Sequence, residues 1–324
     1  MAALALLSAC AGGSTAAPST AAIDVRYVGK TLSVKGRLVT AAHLNPMPRY
    51  AGLVPDALAK SKYYEYINSY YDTYASIFDY PKSTQQIGSI AGIGGQSCTD
   101  ALYGYGKKTF WNIESDSQIT LYEVPKKPIR SLSDSSGMPS SCAMDLSGDL
   151  AVGILSGTGA GDVVIYRNAT GTGKAMSTPL IQEYFDGYDV AGNLFADGWN
   201  SADNFQLVEL PKGAGSFEKI TTSNSVKFPG SVQWDGTYLT VFDQAANSLY
   251  RYSVSGTTAT LHGTVTFTTS SDCAQTWIVK QGIVYCADAG NNDGEVFNYP
   301  GGGSAIAVFT GNFDLPLGTV ATEK

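Results

Sequence analysis

Short apolar runs separated by polar turns recur along the chain at nearly constant intervals. In residues 189–211, a turn at Gly192 and Asn193 precedes the apolar run 194–196, and a polar loop leads to a second run at 205–210. The centre of the second run has counterparts along the chain, at Ile77, Leu121, Val164, Leu207, Tyr250 and Val296. These positions are 44, 43, 43, 43 and 46 residues apart. Such a period predicts a repeat architecture.

Recurring glycines keep the same period. One glycine precedes a strand-like run in each unit, at Gly106, Gly148, Gly192, Gly236 and Gly282. Each unit offers four strand-like runs, and in one unit these runs cover 129–132, 142–146, 150–155 and 162–166. Four strands in about 43 residues are typical of one blade of a β-propeller.

Both ends of the repeat region carry incomplete units. Residues 64–67 and 73–80 are expected to be third and fourth strands, and residues 305–309 and 317–322 are expected to be first and second strands. Five complete units lie between them. We therefore expect an all-β fold, a six-bladed β-propeller over residues 62–324 with four antiparallel strands per blade. Its closing blade is shared by N- and C-terminal strands, which leaves no open sheet edge at the seam.

The composition of the chain narrows the range of possible functions. The chain has 324 residues, 44% of them hydrophobic and 15% charged, and a formal net charge of −7. The negative charge argues against a nucleic-acid partner, because binding to phosphates needs a basic face. With only His43 and His262 in the sequence, histidine-rich zinc sites and most general-base chemistry are disfavoured. We expect a monomer.

The N-terminal residues predict export. Leu7, Ser8, Ala9 and Cys10 follow a short apolar run and resemble the lipobox of bacterial lipoproteins, whose cysteine is lipidated. The resemblance implies a signal peptide over residues 1–9, incomplete at its start because no basic residue precedes the apolar run. Residues 10–22 form the expected flexible lipidated tether, and residues 23–61 an irregular segment. The protein is then expected at a bacterial outer membrane or cell surface, held to the membrane by lipid alone.

Three aspartates and two tryptophans form the predicted ligand site. Asp197, Asp243 and Asp288 lie at or beside equivalent ends of strand-like runs, and Trp111 and Trp199 flank such ends. In one interpretation the aspartates cap loop backbone N–H groups and the tryptophans pack between blades. In the other, all five residues line a channel mouth that binds a partly apolar ligand. No cofactor is expected from the sequence, and calcium bound by the carboxylates at this mouth is the open alternative.

Four further cysteines allow disulfides in an exported protein. If Gln281 and Gly282 form a two-residue turn, Cys286 lies opposite Trp277, roughly 13 Å from Cys273, at ~3.4 Å per residue. That distance argues against a Cys273–Cys286 bridge. Cys98 and Cys142 occupy equivalent positions in adjacent units and can bridge only near the propeller axis. We therefore expect free thiols, with Cys98–Cys142 as the more favourable bridge.

Two short motifs connect the repeats to a known group of proteins. Pro316-Leu317-Gly318 before a strand and the run 192–195 resemble the NHL and SMP-30/gluconolactonase-like six-bladed propellers. The lactonase branch of that group implies a divalent-metal site of one glutamate, one asparagine and aspartates, together with lactone hydrolysis. The present chain departs from it, because no glutamate in the entry strand of the first blade matches that motif.

These observations favour binding over catalysis. Two histidines in unpromising settings do not assemble a Ser/His/Asp arrangement, and the loops of a propeller can hold a ligand without catalysis. The predicted function is that of a non-enzymatic surface lipoprotein. Its partner is a protein, a glycan or a small molecule of unknown identity. The alternative is a metal-dependent hydrolase of the lactonase type.

Overall fold

The computed structural model describes residues 23–27, 30–34, 63–71, 73–114, 118–133, 136–280 and 282–324. Cys10, the predicted signal peptide and the predicted tether lie outside these residues. Within the described part of the chain there are strands, turns and two three-residue 3-10 segments, Arg167–Ala169 and Gln244–Ala246, but no α-helix. Nothing in that part is a helix long and apolar enough to span a membrane.

A short hairpin precedes the repeat region. Strand β1 (Ile23–Tyr27) pairs antiparallel with β2 (Lys30–Val34), and Val25 lies opposite Leu32. The two strands lie within the segment 23–61, for which the sequence predicted irregular structure, and they contribute regular structure to it.

The remaining strands follow in chain order. They are β3 (Tyr63–Ser69), β4 (Tyr74–Phe78), β5 (Gln86–Ala91), β6 (Ile93–Thr99), β7 (Thr109–Glu114), β8 (Gln118–Glu123), β9 (Lys127–Ser133), β10 (Met138–Met144), β11 (Leu150–Ser156), β12 (Val163–Tyr166), β13 (Lys174–Met176), β14 (Leu180–Tyr188), β15 (Leu194–Asn200), β16 (Phe205–Leu210), β17 (Glu218–Thr222), β18 (Val232–Trp234), β19 (Leu239–Asp243), β20 (Ser248–Ser255), β21 (Thr258–Thr266), β22 (Cys273–Val279), β23 (Ile283–Asp288), β24 (Asp293–Asn298), β25 (Gly302–Phe309) and β26 (Pro316–Glu323).

Strands β3 to β26 form antiparallel units of four neighbouring strands. Three sheets are meanders of consecutive strands, β6 to β9, β10 to β13 and β22 to β25. The units β14 to β17 and β18 to β21 join into one eight-stranded sheet through a short parallel pairing of β17 with β21, in which Thr221 lies opposite Thr258. The last sheet has the order β26, β3, β4, β5, so strands from both ends of the repeat region share it.

The first strand of each unit packs against the first strand of the next. Contacts of this kind join β26 to β6, β6 to β10, β10 to β14, β14 to β18 and β22 to β26. Between β18 and β22, the side chain of Gln233 bonds to the backbone of Ile278. These inner strands surround a common axis, and the other strands of each unit lie outside them. The architecture is all-β and propeller-like, which confirms the fold class predicted from the sequence.

The landmark positions of the sequence fall on one structural element. All six apolar landmarks lie on the third strand of their unit, which is β4, β8, β12, β16, β20 or β24. Four of the landmark glycines lie in the turn between first and second strands and have a positive φ: 93° at Gly148, 86° at Gly192, 99° at Gly236 and 79° at Gly282. Glycine adopts this conformation without steric cost, which explains its recurrence there.

The predicted starting point of each unit is wrong by one strand. Residues 129–132, expected to open a blade, belong to β9, which pairs with β8 and is the outermost strand of the preceding sheet. Residues 305–309 belong to β25, which pairs with β24 in the same way. The closing sheet therefore takes three strands from the N-terminal side and only β26 from the C-terminal side. A period fixes the spacing of equivalent residues, but it does not fix where the chain crosses to the next sheet.

Burial decreases from the axis outwards. All seven residues of the inner strand β22 are buried, because neighbouring sheets cover both of its faces. The outer strand β21 instead shows alternating exposure, as expected for a strand with one solvated face. Packing at the axis is tight enough to require glycine at position 187, where a Cβ would lie 2.4 Å from the carbonyl oxygen of Val232.

Two disulfides correct the expectation of free thiols. Cys98 on β6 is bonded to Cys142 on β10, with 5.7 Å between their Cα atoms. Both strands are inner strands, so equivalent residues of adjacent sheets lie close to the axis and close to each other. This bond is the one that the sequence favoured.

The second disulfide joins Cys273 and Cys286, which the sequence placed too far apart. Their Cα atoms are also 5.7 Å apart. Cys286 lies opposite Thr276 instead of Trp277, and the pairing of β22 with β23 shifts register between Cys273 and Gln275. The extra residue bends β22 and brings Cys273 back towards Cys286. The predicted distance assumed a regular hairpin without this bulge.

Candidate functional site

Glutamine side chains near the axis reach from one inner strand to the backbone of others. The Oε1 atom of Gln275 on β22 accepts hydrogen bonds from the Thr319 N–H (2.8 Å) and the Ser97 N–H (3.4 Å), and its Nε2 donates to the Ser97 carbonyl (3.0 Å). Gln96 on β6 donates from Nε2 to the Tyr184 carbonyl of β14 at 3.0 Å. These bonds satisfy buried backbone groups and occupy the space that a channel would need.

What is left at the axis is a small cavity of about 30 Å³. Its lining comes from the inner strands and the turns that follow them, and includes Asp186, Gln233, Trp234 and Trp277. A space of this size holds one or two water molecules or a single ion. An organic ligand does not fit in it.

Two of the predicted site residues, Asp243 and Asp288, cap loop backbone. Asp243 accepts N–H bonds from Lys227 (2.9 Å), Phe228 (3.2 Å) and Ala245 (3.1 Å). The carboxylate of Asp288 accepts four backbone bonds, all between 2.8 and 3.0 Å, from the N–H groups of Ser271, Asp272, Gly290 and Asn291. Both aspartates are fully buried. The geometry is that of the capping interpretation of the sequence.

Asp197 and Trp199 lie beside the loop that Asp243 caps. The Oδ2 atom of Asp197 accepts a bond from the Gly230 N–H at 3.3 Å, and the Trp199 ring packs edge-on against Phe228, with 5.4 Å between centroids. The structure thus brings Asp197, Trp199 and Asp243 together around residues 227–230. Asp288 contacts a different loop, at residues 271–272.

Trp111 is separate from that group. It packs with Cys98, Ile113 and Cys142 between the sheets β6 to β9 and β10 to β13. Its indole Nε1 is buried and has no hydrogen-bond partner among the described residues. The five predicted site residues therefore do not line one mouth.

Trp111 lies instead at a groove between two neighbouring sheets. The groove has a volume of about 300 Å³, with Trp111, Leu121 and Met144 as apolar lining and Asp100, Arg130 and Asn168 as polar lining. A second depression of about 590 Å³ continues from Arg130 along residues 131–133 and reaches residues 170–172. Both volumes lie in the range of ordinary small-molecule sites.

Two acidic residues near the axis were not predicted from the sequence. Glu183 and Asp186 lie on β14 and are buried. Burial raises the pKa of Glu183 well above its ordinary value, and the nearby Asp186 raises it further. Burial also raises the pKa of Asp186 well above its ordinary value. The spacing of these acids in a strand resembles that of any other polar pair, so no sequence signal distinguished them.

Another acidic group lies at the hairpin between β23 and β24. Donor atoms of Cys286, Asp288 and Glu295 lie within 4.8 Å of one another. Cys286 is engaged in a disulfide, and the oxygens of Asp288 already accept backbone N–H bonds, so this trio is poorly suited to hold a metal. Burial and the charge of Asp288 raise the pKa of Asp293 to about 7 and that of Glu295 to about 8.

Comparison with known proteins identifies the fold. No protein-family model matches this chain, and no curated protein sequence matches it. Among solved structures, a protein of unknown function from Bacteroides caccae superposes with a TM-score of 0.61 at 11% identity, over 82% of this chain and 100% of the other. A chain of a nidogen/laminin complex gives a TM-score of 0.58 at 10% identity, over 80% and 98% of the two chains.

A third structure, a functionally unknown protein from Desulfotomaculum acetoxidans, gives a TM-score of 0.53 at 10% identity, over 80% of this chain and 98% of that one. At such low identity these similarities concern the fold alone. Together with the arrangement of the sheets about one axis, they show that the chain has a β-propeller fold.

Proposed function

We propose that this protein is a non-enzymatic binding propeller, exported from a bacterial cell and held at a membrane surface by a lipid on Cys10. The groove beside Trp111 carries this proposal. It combines an apolar floor with charged residues at its rim, which is the usual make-up of a ligand site. The axis offers only about 30 Å³.

The rim of the groove suggests how a ligand is oriented. Arg130 is exposed, and its Nη1 donates to the Ala169 carbonyl at 3.0 Å, which fixes the guanidinium at the junction of the two depressions. Asp100, on the same lining, accepts a bond from the Lys107 N–H at 2.8 Å. A glycan, a peptide or a small polar molecule with an apolar face matches this mixture of groups.

The blade number is part of the proposal. Six inner strands, each opening a four-stranded unit, support a six-bladed propeller, in which β14 to β17 and β18 to β21 are two blades joined at their outer edge. The resemblance of short motifs to NHL and SMP-30-like propellers is compatible with this number. An experimental structure in which β14 to β21 close into a single barrel would contradict it.

The proposed location is supported by the cysteines. Disulfides form and persist mainly in oxidising compartments, and Cys98–Cys142 and Cys273–Cys286 are both bonded. The lipid anchor is tested by mass spectrometry of the membrane fraction. We expect a mature N-terminus at lipid-modified Cys10, and an unmodified peptide that contains both Ala9 and Cys10 would refute the anchor.

The binding site is tested with two charge-reversed variants. Arg130→Glu changes the rim of the groove, whereas Lys219→Glu makes the same change on the exposed outer strand β17. A glycan array and a small-molecule thermal-shift screen are run on the wild type and both variants. We expect hits that Arg130→Glu weakens at least tenfold and Lys219→Glu leaves unchanged. Hits that are insensitive to Arg130→Glu place the ligand elsewhere, and metal-dependent hydrolysis of simple lactones by the wild type would favour the hydrolase alternative.

A further inference from the structure

Two acidic side chains are buried together beside the axis. Glu183 is fully buried, and Asp186 is 6% exposed. The Ser141 hydroxyl on β10 lies between 2.9 and 3.0 Å from both carboxylate oxygens of Glu183. Neither carboxylate oxygen of Asp186 has a hydrogen-bond partner among the described residues. The pair thus has several oxygen lone pairs that the protein itself does not use.

The neighbouring sheet leaves room for this pair. A Cβ at Gly153 on β11 would lie 1.6 Å from Oε2 of Glu183 and 2.3 Å from Oγ of Ser141. Any side chain at position 153 would displace the carboxylate. Glycine weakens a strand, because its backbone loses more conformational entropy on folding and it has no side chain to pack. The pair therefore costs stability in two strands: β11 must carry a glycine, and β14 carries two buried acids.

No basic side chain neutralises the pair in the described part of the chain. The ion pairs there involve the carboxylates of Asp79, Glu123, Asp149 and Asp235, and none involves Glu183 or Asp186. A buried carboxylate without a counter-charge is strongly unfavourable. Either protons or a bound cation must compensate for it.

The surroundings favour a cation. Asp186 lines the axial cavity of about 30 Å³, which has the volume that a single ion requires. Neither carboxylate oxygen of Asp186 is satisfied by the described residues, and a bound ion is one way to satisfy a buried polar group that lacks a protein partner.

We propose that Asp186, Glu183 and Ser141 form an axial binding site for one divalent cation of the calcium type. Two carboxylates balance a charge of two, and their hard oxygens, with a hydroxyl and water, suit calcium, which tolerates irregular coordination. The cation ties β14 to β10 near the axis. The site is separate from the groove beside Trp111, so it does not depend on the proposed binding function.

Terbium luminescence gives a direct test, because Tb³⁺ replaces calcium and is sensitised by nearby tryptophans. Trp234 and Trp277 line the same cavity. We expect Tb³⁺ emission under tryptophan excitation that saturates at one ion per chain and is displaced by Ca²⁺. Asp186→Asn, which keeps the shape of the side chain, is expected to weaken Tb³⁺ binding at least tenfold. The control Glu218→Gln removes one negative charge from an exposed position on β17 and is expected to bind like the wild type.

Two further results decide the proposal. Ser141→Ala removes one oxygen with little change in packing, so it is expected to weaken Tb³⁺ binding severalfold and keeps the test valid if Asp186→Asn does not fold. If the wild type binds no stoichiometric Tb³⁺ or Ca²⁺ by elemental mass spectrometry after dialysis, the acids are neutralised by protons and the proposal is wrong. Binding that survives both substitutions but is lost in Glu295→Gln would place the ion at the β23–β24 hairpin instead and would equally overturn it.

Discussion

Asp288 and Asp186 are both buried aspartates on strands of this propeller, yet their surroundings are opposite. The carboxylate of Asp288 accepts N–H bonds from four backbone groups, whereas that of Asp186 accepts none from the described residues. The first arrangement compensates for burial with backbone dipoles and stabilises two loops. The second leaves a negative charge to be neutralised from outside. The same residue type thus serves as a structural cap in one unit and as a candidate ligand in another.

Both aspartates keep their surroundings only if the sheets close into a ring around the axis. Deletion of residues 317–324 removes most of β26, which pairs with β3 from Pro316 to Glu323 and packs against β6 and β22. We expect the largest effect here, loss of cooperative unfolding of the whole domain, because the deletion opens the innermost edge of the closing sheet. Thermal denaturation followed by circular dichroism measures it. An unchanged midpoint would mean that β26 does not close the ring.

The structural aspartate is tested by Asp288→Ala. The substitution leaves four backbone N–H groups without an acceptor, and we expect a loss of roughly 3 kcal/mol or more in the free energy of unfolding. Urea denaturation of the variant and the wild type gives this difference. Asp243→Ala, which removes an equivalent cap on residues 227–228, serves as a parallel case. A loss below about 1 kcal/mol at both positions would show that the caps contribute little.

Asp186→Asn is expected to act in the opposite direction. In buffer with a chelator at pH 8, it removes a buried group whose ionised form is unfavourable, so we expect stability to increase by about 1 kcal/mol, the equivalent of less than one pKa unit. Urea denaturation measures the change, with Glu218→Gln as a control that should stay within about 0.5 kcal/mol of the wild type. Destabilisation by Asp186→Asn under these conditions would mean that an unseen partner stabilises the charged carboxylate.

The smallest expected effect concerns the acids beside Asp288. The pKa is raised from 3.8 to about 7 at Asp293 and from 4.5 to about 8 at Glu295, so the folded state binds protons more tightly than the unfolded state. Their contribution to stability is complete below about pH 4 and is lost as the pH rises through about 7 and 8. Thermal midpoints measured with a chelator should fall over this interval.

A double variant supplies the control for that profile. Asp293→Asn with Glu295→Gln removes both titrating groups and should flatten the decline between pH 5 and pH 9. A wild-type profile that is already flat, or one that rises with pH, would show that neither pKa is raised in the folded protein. Because Asp288 keeps its backbone bonds in the variant, the result separates the cap from its acidic neighbours.

The sequence alone determined the repeat and its strands. The landmark residues, from Ile77 to Val296, lie on equivalent third strands, and the turn glycines at positions 148, 192, 236 and 282 have the positive φ that selects glycine. These features are local, because alternating apolar residues and turn conformations depend on neighbours within a few positions. For that reason a period of about 43 residues was enough to predict an all-β propeller.

Tertiary structure decided what the local pattern leaves open. The outer strand β9 joins the preceding sheet, a bulge in β22 brings Cys273 to Cys286, and Ser141 reaches Glu183 from 42 residues away. Each of these depends on segments that are distant in sequence or on a one-residue irregularity in pairing. The position of Trp111 could not be predicted locally either. It lies at a groove and not at a channel mouth because it packs between two neighbouring sheets. Hydrophobic patterning selects which residues are buried, but only packing decides what they are buried against.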